Sequence, residues 1–186
     1  WQEVTTPDLV VVAAHGGAGA STIAGWLDAA AVRECWPAPP DQPPHGWPLI
    51  DGHWARVPVL LVCRSHARGL TAAAEAAQQW ASTSMDWLNL LGLVVVADAP
   101  GRLPSELRRQ VRVVAGAVPR TWHIKWLPEL RLGDVRSEHP TVVALRESIA
   151  PLVDEIPSPD PSPPVSPDPI PTATDPVAPI SQEVTS

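Results

Sequence analysis

A chain of 186 residues with 45% hydrophobic content has room for one domain with a real core, and its two cysteines, Cys35 and Cys63, are too few for the disulfide framework of a small secreted protein. The formal net charge of −7 excludes a general nucleic-acid or anionic-membrane surface, because neither attracts an acidic protein. Proline is abundant, at 24 residues, and all nine aromatic residues are tryptophan.

In chain order, the run 9–14 is continuously apolar, short and β-branched at its centre, as expected of a strand buried on both faces of a parallel sheet. A glycine-rich loop follows at once, and residues 21–32 carry apolar side chains at helical spacing, at Ile23, Ala24, Trp26, Leu27, Ala30 and Ala31. Across 35–56 the periodicity stops. Six prolines between Pro37 and Pro48 cannot sit inside a helix or a central strand, so an irregular connection is expected, pinned to the body by Trp36, Trp47 and Trp54.

Regular structure resumes with a second buried strand over 57–63 and an alanine-rich helix over 70–80 that ends near Ser82. A third strand, again apolar on both faces, spans 90–97, and Asp98-Ala99-Pro100-Gly101 makes a turn. Pro104 suits the first turn of a helix running to Ala115. A short strand over 121–126 and a helix over 139–152, with Pro140 near its start, complete the alternation.

Strands apolar throughout that alternate with helices imply an α/β domain over 1–152: three layers around a mainly parallel sheet of four or five strands. From 153 to 186 the composition turns to Pro, Ser, Asp and Thr, with too few large apolar residues to offset the entropy of ordering. A disordered tail with polyproline II bias is expected there, suited to capture by a protein partner. No run approaches the ~20 apolar residues needed to cross a bilayer, and no signal peptide is recognisable, so a cytoplasmic location is expected.

The loop His15-Gly16-Gly17-Ala18-Gly19-Ala20-Ser21-Thr22 carries the most chemistry. Glycines between a strand and a helix let backbone N–H groups turn inward around a phosphate at the positive end of the helix. Gly16, Gly17, Ala18, Gly19, Ala20, Ser21 and Thr22 are therefore the candidate phosphate-binding residues. In working loops a lysine reaches the β- and γ-phosphates and a Ser or Thr hydroxyl holds Mg²⁺. The order Gly-Gly-x-Gly-x-Ser-Thr resembles the deviant Walker A loop of the ParA/MinD partitioning ATPases, whose two lysines fall here on His15 and Ala20. Segments 59–81, 90–101 and 118–133, with Trp126-Leu127-Pro128 near the place of a final proline loop, look like the late half of such a domain.

The resemblance implies a P-loop fold, ATP with Mg²⁺ on Ser21 if a nucleotide binds, and, with both cations gone, little or no hydrolysis. The pattern of this loop with a Val-Ala-Asp-Ala-Pro-Gly-Arg segment is also similar to an uncharacterised actinobacterial family of plasmid-like and conjugative elements. That suggests an accessory or adaptor protein. Three alternatives stand beside this reading. A partner could lend the missing cation and complete an ATPase or nucleotide switch. The turn could be purely structural, since glycine also permits close helix–strand packing. Asp98, at the end of the third long strand, could be a Walker B-like metal ligand.

Other clusters read as ordinary. Cys35, His45, His53 and Cys63 match no compact zinc spacing. Arg102, Arg108, Arg109 and Arg112 read as a solvated helix face, with an acidic-partner site as the alternative. Ser65, His66 and Asp98 lack the nucleophile elbow of a hydrolase.

Overall fold

The computed structural model describes residues 8–36, 49–50, 53–54, 57–82, 88–132 and 138–155. The elements are β1 (Val10–Ala13), α1 (Ala20–Leu27), β2 (Ala30–Cys35), β3 (Leu49–Ile50), β4 (His53–Trp54), β5 (Val57–Arg64), α2 (Ala67–Ser82), β6 (Leu88–Val96), α3 (Ser105–Ala115), β7 (Thr121–Ile124), α4 (Glu129–Leu132) and α5 (Pro140–Asp154). Five strands form one all-parallel sheet in the order β2-β1-β5-β6-β7. Numbered by appearance within that sheet, the order is 2-1-3-4-5, the doubly wound arrangement whose direction of growth reverses between its first and third strands.

Period-two alternation divides the core. Val10, Val12, Val59, Leu61 and Cys63 face one side, with Leu70, Ala73, Ala76 and Ala77 of α2 and Val114 of α3. Val11, Leu60 and Val62 face the other, with Ile23 and Ala24 of α1 and Val142, Leu145 and Ile149 of α5. β1, and β5 as far as Cys63, are apolar at every position because both faces are covered. Val57 to Cys63 of β5 are all buried, and each Val or Leu so removed from water contributes about 1.5–3 kcal/mol. This is the three-layer α/β fold expected from the sequence.

Two segments differ from expectation. The helix after the glycine loop stops at Leu27 instead of continuing to residue 32, because Asp28 turns into the left-handed region (φ 55°, ψ 39°). The N–H groups of Asp28 and Ala29 both reach the Ala24 carbonyl, and Ala30 N–H then bonds Leu9 O, so the chain enters β2 beside β1. Ala30 and Ala31, both exposed, suit an edge strand as well as a helix, and the sheet decides between them. Within the proline-rich connection, β3 and β4 pair antiparallel, which regularises part of a stretch expected to be irregular. Trp36 is indeed buried, with its Nε1 donating to Gln79 Oε1 of α2. Trp47, His45 and the prolines from Pro37 to Pro48 lie outside the described residues, as does the proline-rich segment 156–186.

One glycine is dictated by packing inside the sheet. Leu91 is bulged out of the β5–β6 register, since Val59 pairs with Leu90 and Leu60 with Gly92. A Cβ at Gly92 would lie 2.3 Å from the Arg120 carbonyl, which Leu93 N–H uses to begin pairing with β7.

Candidate functional site

In open α/β sheets ligands bind at the carboxyl ends of the strands, beside the point where strand order reverses. Here that point lies between β1 and β5, and the glycine loop leaves β1 directly above it. Gly17 (φ +78°) and Gly19 (φ +98°) hold left-handed conformations that other residues adopt only with strain. Ala18 N–H closes a turn onto His15 O at 3.2 Å, and Gly19 starts α1 with no side chain capping the helix N-terminus. A Cβ built on Gly16, Gly17 or Gly19 meets nothing within 4 Å, so the loop faces open space.

A hollow of ≈ 250 Å³ opens against this loop. His15, Gly16 and Gly17 form one wall; Arg64 and His66, at and beyond the end of β5, form the next; Ala97, Asp98 and Trp126, beyond β6 and β7, close it. A second hollow, of ≈ 440 Å³, shares Ala97 and Trp126 with the first. Its walls are mostly apolar, from Val95, Pro100, Leu103 and Ile124, with Lys125, the chain's one lysine, at its edge.

Arg64 is the cation of the site. Its Nε donates to Gly17 O at 3.4 Å and its Nη1 to Ala97 O at 3.2 Å, so the guanidinium spans the gap between the glycine loop and the end of β6. Among the described residues no carboxylate lies within ion-pair distance of it. Two of its five N–H donors are thus engaged by carbonyls, and the remainder are available to an anion.

His15 braces this arrangement. Its Nε2 accepts from Arg64 N–H at 3.1 Å and its Nδ1 lies 2.9 Å from Gly16 O, a pair of contacts that the Nδ1-protonated tautomer satisfies. Held this way, His15 ties β5 to the loop. The His66 ring sits 5.0 Å from the His15 ring, and its Nδ1 accepts from Gly69 N–H at 2.9 Å, capping α2.

Among the loop residues expected to hold phosphate, Gly16 and Gly17 line the hollow. Ala18 and Ala20 are buried in the hydrophobic cluster beneath, at 1% and 7% exposure, so Ala20, where a working loop is expected to carry its lysine, is a packing position. Gly19, Ser21 and Thr22 stand outside the lining, the latter two exposed. Asp98 does line the hollow, at the end of β6, one strand removed from β1.

Among the described residues Ser21, the expected Mg²⁺ ligand, lies outside the hollow, Asp98 is the one carboxylate lining it, and no three His, Cys, Asp or Glu side chains cluster so as to hold a metal. Ser65 and His66 neighbour Asp98, but Ser65 Oγ accepts from Asp98 N–H at 3.1 Å and the His66 ring is engaged at Gly69, so no nucleophile–base pair forms. Cys63 is buried in the core, where loss of solvent pushes its thiol up to about 12, whereas Cys35 is exposed.

Sequence reasoning missed Arg64, and overlooked His66 except as a triad candidate. The available signal was positional: Arg64 is the charged residue that ends the apolar strand Val57–Arg64, at the carboxyl edge where parallel sheets build their sites. No helix of the described residues is long and apolar enough to cross a membrane. No curated protein and no solved structure matches the chain significantly. The profile of DUF6668, a family of unknown function, matches residues 7–146, and the chain belongs to that family.

Proposed function

We propose that this chain is a non-hydrolysing relative of the P-loop proteins that binds a phosphate-bearing ligand, a nucleotide foremost, and works as an accessory or adaptor protein. The mobile-element setting implied by its sequence resemblance belongs to the same proposal. One observation carries it: the Arg64 guanidinium bridges Gly17 O and Ala97 O over an open glycine loop, in a site whose loop contains no cation of its own. Arginine from the neighbouring strand replaces the charge that Ala20 cannot supply. The apolar hollow beside it, bounded by Trp126 and Pro100, suits a planar group attached to the anion.

Binding without turnover follows from the same geometry. Hydrolysis requires donors and a metal preorganised around charge that develops on the transferring phosphoryl group. Among the described residues the hollow offers Arg64 and backbone groups, which hold a ground-state anion, and Ala20 stands where a loop lysine would reach the phosphates.

The test is calorimetry on the full chain with ATP, ADP, GTP and pyrophosphate, with and without Mg²⁺. Binding independent of Mg²⁺ is expected, weakened ~10–100-fold by Arg64→Ala, the value of one charge-assisted contact of about 1.5–3 kcal/mol. No phosphate release should accompany it. Absence of binding by all four, or turnover at ordinary P-loop rates, would overturn the proposal.

A further inference from the structure

On the face opposite α5, helices α2 and α3 pack together and leave a groove of ≈ 350 Å³ between them. Leu70 and Ala74 from α2 and Arg109, Gln110 and Val113 from α3 line it. Val113 is 67% exposed, the one large hydrophobic side chain left in water among the described residues. Gln110 Oε1 is buried there without a hydrogen-bond donor. The rim is positive: Arg108 and Arg112 are exposed on the stripe adjoining Arg109, and Glu106, 2.9 Å from Arg109, is the single carboxylate in the lining among the described residues. That ion pair is solvent-exposed at both ends and holds Arg109 only weakly.

The complementary chemistry is present in the same chain. Residues 156–186 contain Asp160, Asp168, Asp175 and Glu183, and no Lys, Arg or His. Two of the aspartates begin the units Asp168-Pro169-Ile170 and Asp175-Pro176-Val177. Each sets a carboxylate two residues before a branched aliphatic side chain, in a proline-rich context that loses little entropy when captured. The carboxylate matches Arg109, and the aliphatic group matches the slot beside Val113.

We infer that the segment 165–180 docks in the α2–α3 groove of its own chain. Reach permits it. Asp168 lies 13 residues beyond Glu155, about 40 Å at ~3.1 Å per polyproline II residue. A domain of this size has a radius of gyration of about 15 Å, hence a path of at most about 60 Å round its surface, which the roughly 60 Å of extended chain from Glu155 to Asp175 spans. A tether of this length provides an effective concentration of order mM, which populates even a weak site. The groove shares no lining residue with the hollow at the glycine loop, and the inference stands independently of the ligand reading. It gives the arginine-rich helix an acidic partner, one that another acidic protein would have to displace.

The experiment uses the full chain, ¹⁵N-labelled, with Cys35→Ser and Ser166→Cys so that a nitroxide attaches in the segment; buried Cys63 stays unreacted. The expected result is line broadening of amides in 70–77 and 106–114, lost in Arg109→Glu with Arg112→Glu and recovered when Asp168→Lys and Asp175→Lys are added. Both arginines are exposed, so their replacement leaves the core intact. Broadening spread evenly over the surface, or unchanged by the arginine substitutions, would overturn the inference. Broadening seen equally when spin-labelled and ¹⁵N-labelled copies are separate molecules would place the contact between chains and overturn it as stated.

Discussion

Replacing glycine by alanine should have opposite effects in two helices of this protein, and the difference can be worked from the surroundings of each site. Gly25 lies inside α1 and is exposed, with nothing within 4 Å of an added Cβ. There alanine removes the backbone-entropy penalty of glycine, worth about 0.5–1 kcal/mol in a helix interior. Gly69 lies in the first turn of α2 and is buried. A Cβ there would stand 2.4 Å from the Arg64 carbonyl and 2.8 Å from His15 Nε2, against 3.4 Å for ordinary contact. The first obstacle is backbone, so strand and helix must part, at an overpacking cost of about 1–3 kcal/mol. After the helix-propensity gain, Gly69→Ala should lose about 1–2 kcal/mol. For a domain of this size each kcal/mol moves Tm by about 2–4 °C. Thermal unfolding of the two variants beside the parent should show Gly25→Ala higher and Gly69→Ala lower. Because Arg64 and His15 take the strain, Gly69→Ala should also weaken ligand binding, which Gly25→Ala should leave unchanged. If both variants were stabilised alike, the close approach of β5, His15 and α2 on which the site rests would be refuted.

The two thiols should behave differently: at pH 8 a thiol reagent should modify Cys35 alone in the native protein, and both cysteines in denaturant. Since burial raises Cys63 from 9.0 to about 12, the unfolded chain loses that proton first as pH rises. Stability should then fall above about pH 9 by up to ~1.4 kcal/mol per pH unit, until the folded thiol ionises too; denaturant unfolding at pH 8 and pH 10 should show the difference, and Cys63→Ala should abolish this component. Arg146 of α5 donates from Nε at 3.2 Å and Nη2 at 2.6 Å to Trp26 O in the last turn of α1. Arg146→Ala removes this cationic cap and should cost about 1 kcal/mol in chemical unfolding, while an unchanged midpoint would show that solvent replaces it.

The layered architecture is legible in the amino-acid order, because burial on both faces forces Val10–Ala13, and Val57 to Cys63 of β5, to be apolar at every position, and that pattern survives without coordinates. The sequence also marked the turn after β1, since Gly17 and Gly19 occupy backbone conformations that few other residues reach. It could not decide between helix and strand for Ala30–Cys35. Alanine and valine serve either, and the choice rests on Asp28 turning left-handed and on a free edge of β1 to receive the chain. It could not assemble the candidate site either. His15 and Arg64 are 49 residues apart, and what makes them one unit is strand order, which lays β5 against β1 and brings Arg64 N–H to His15 Nε2. Tertiary structure alone also turned Ala20 inward as packing and left the positive charge of the hollow to Arg64, because which side chains converge at a sheet edge depends on strand neighbours far apart in the chain.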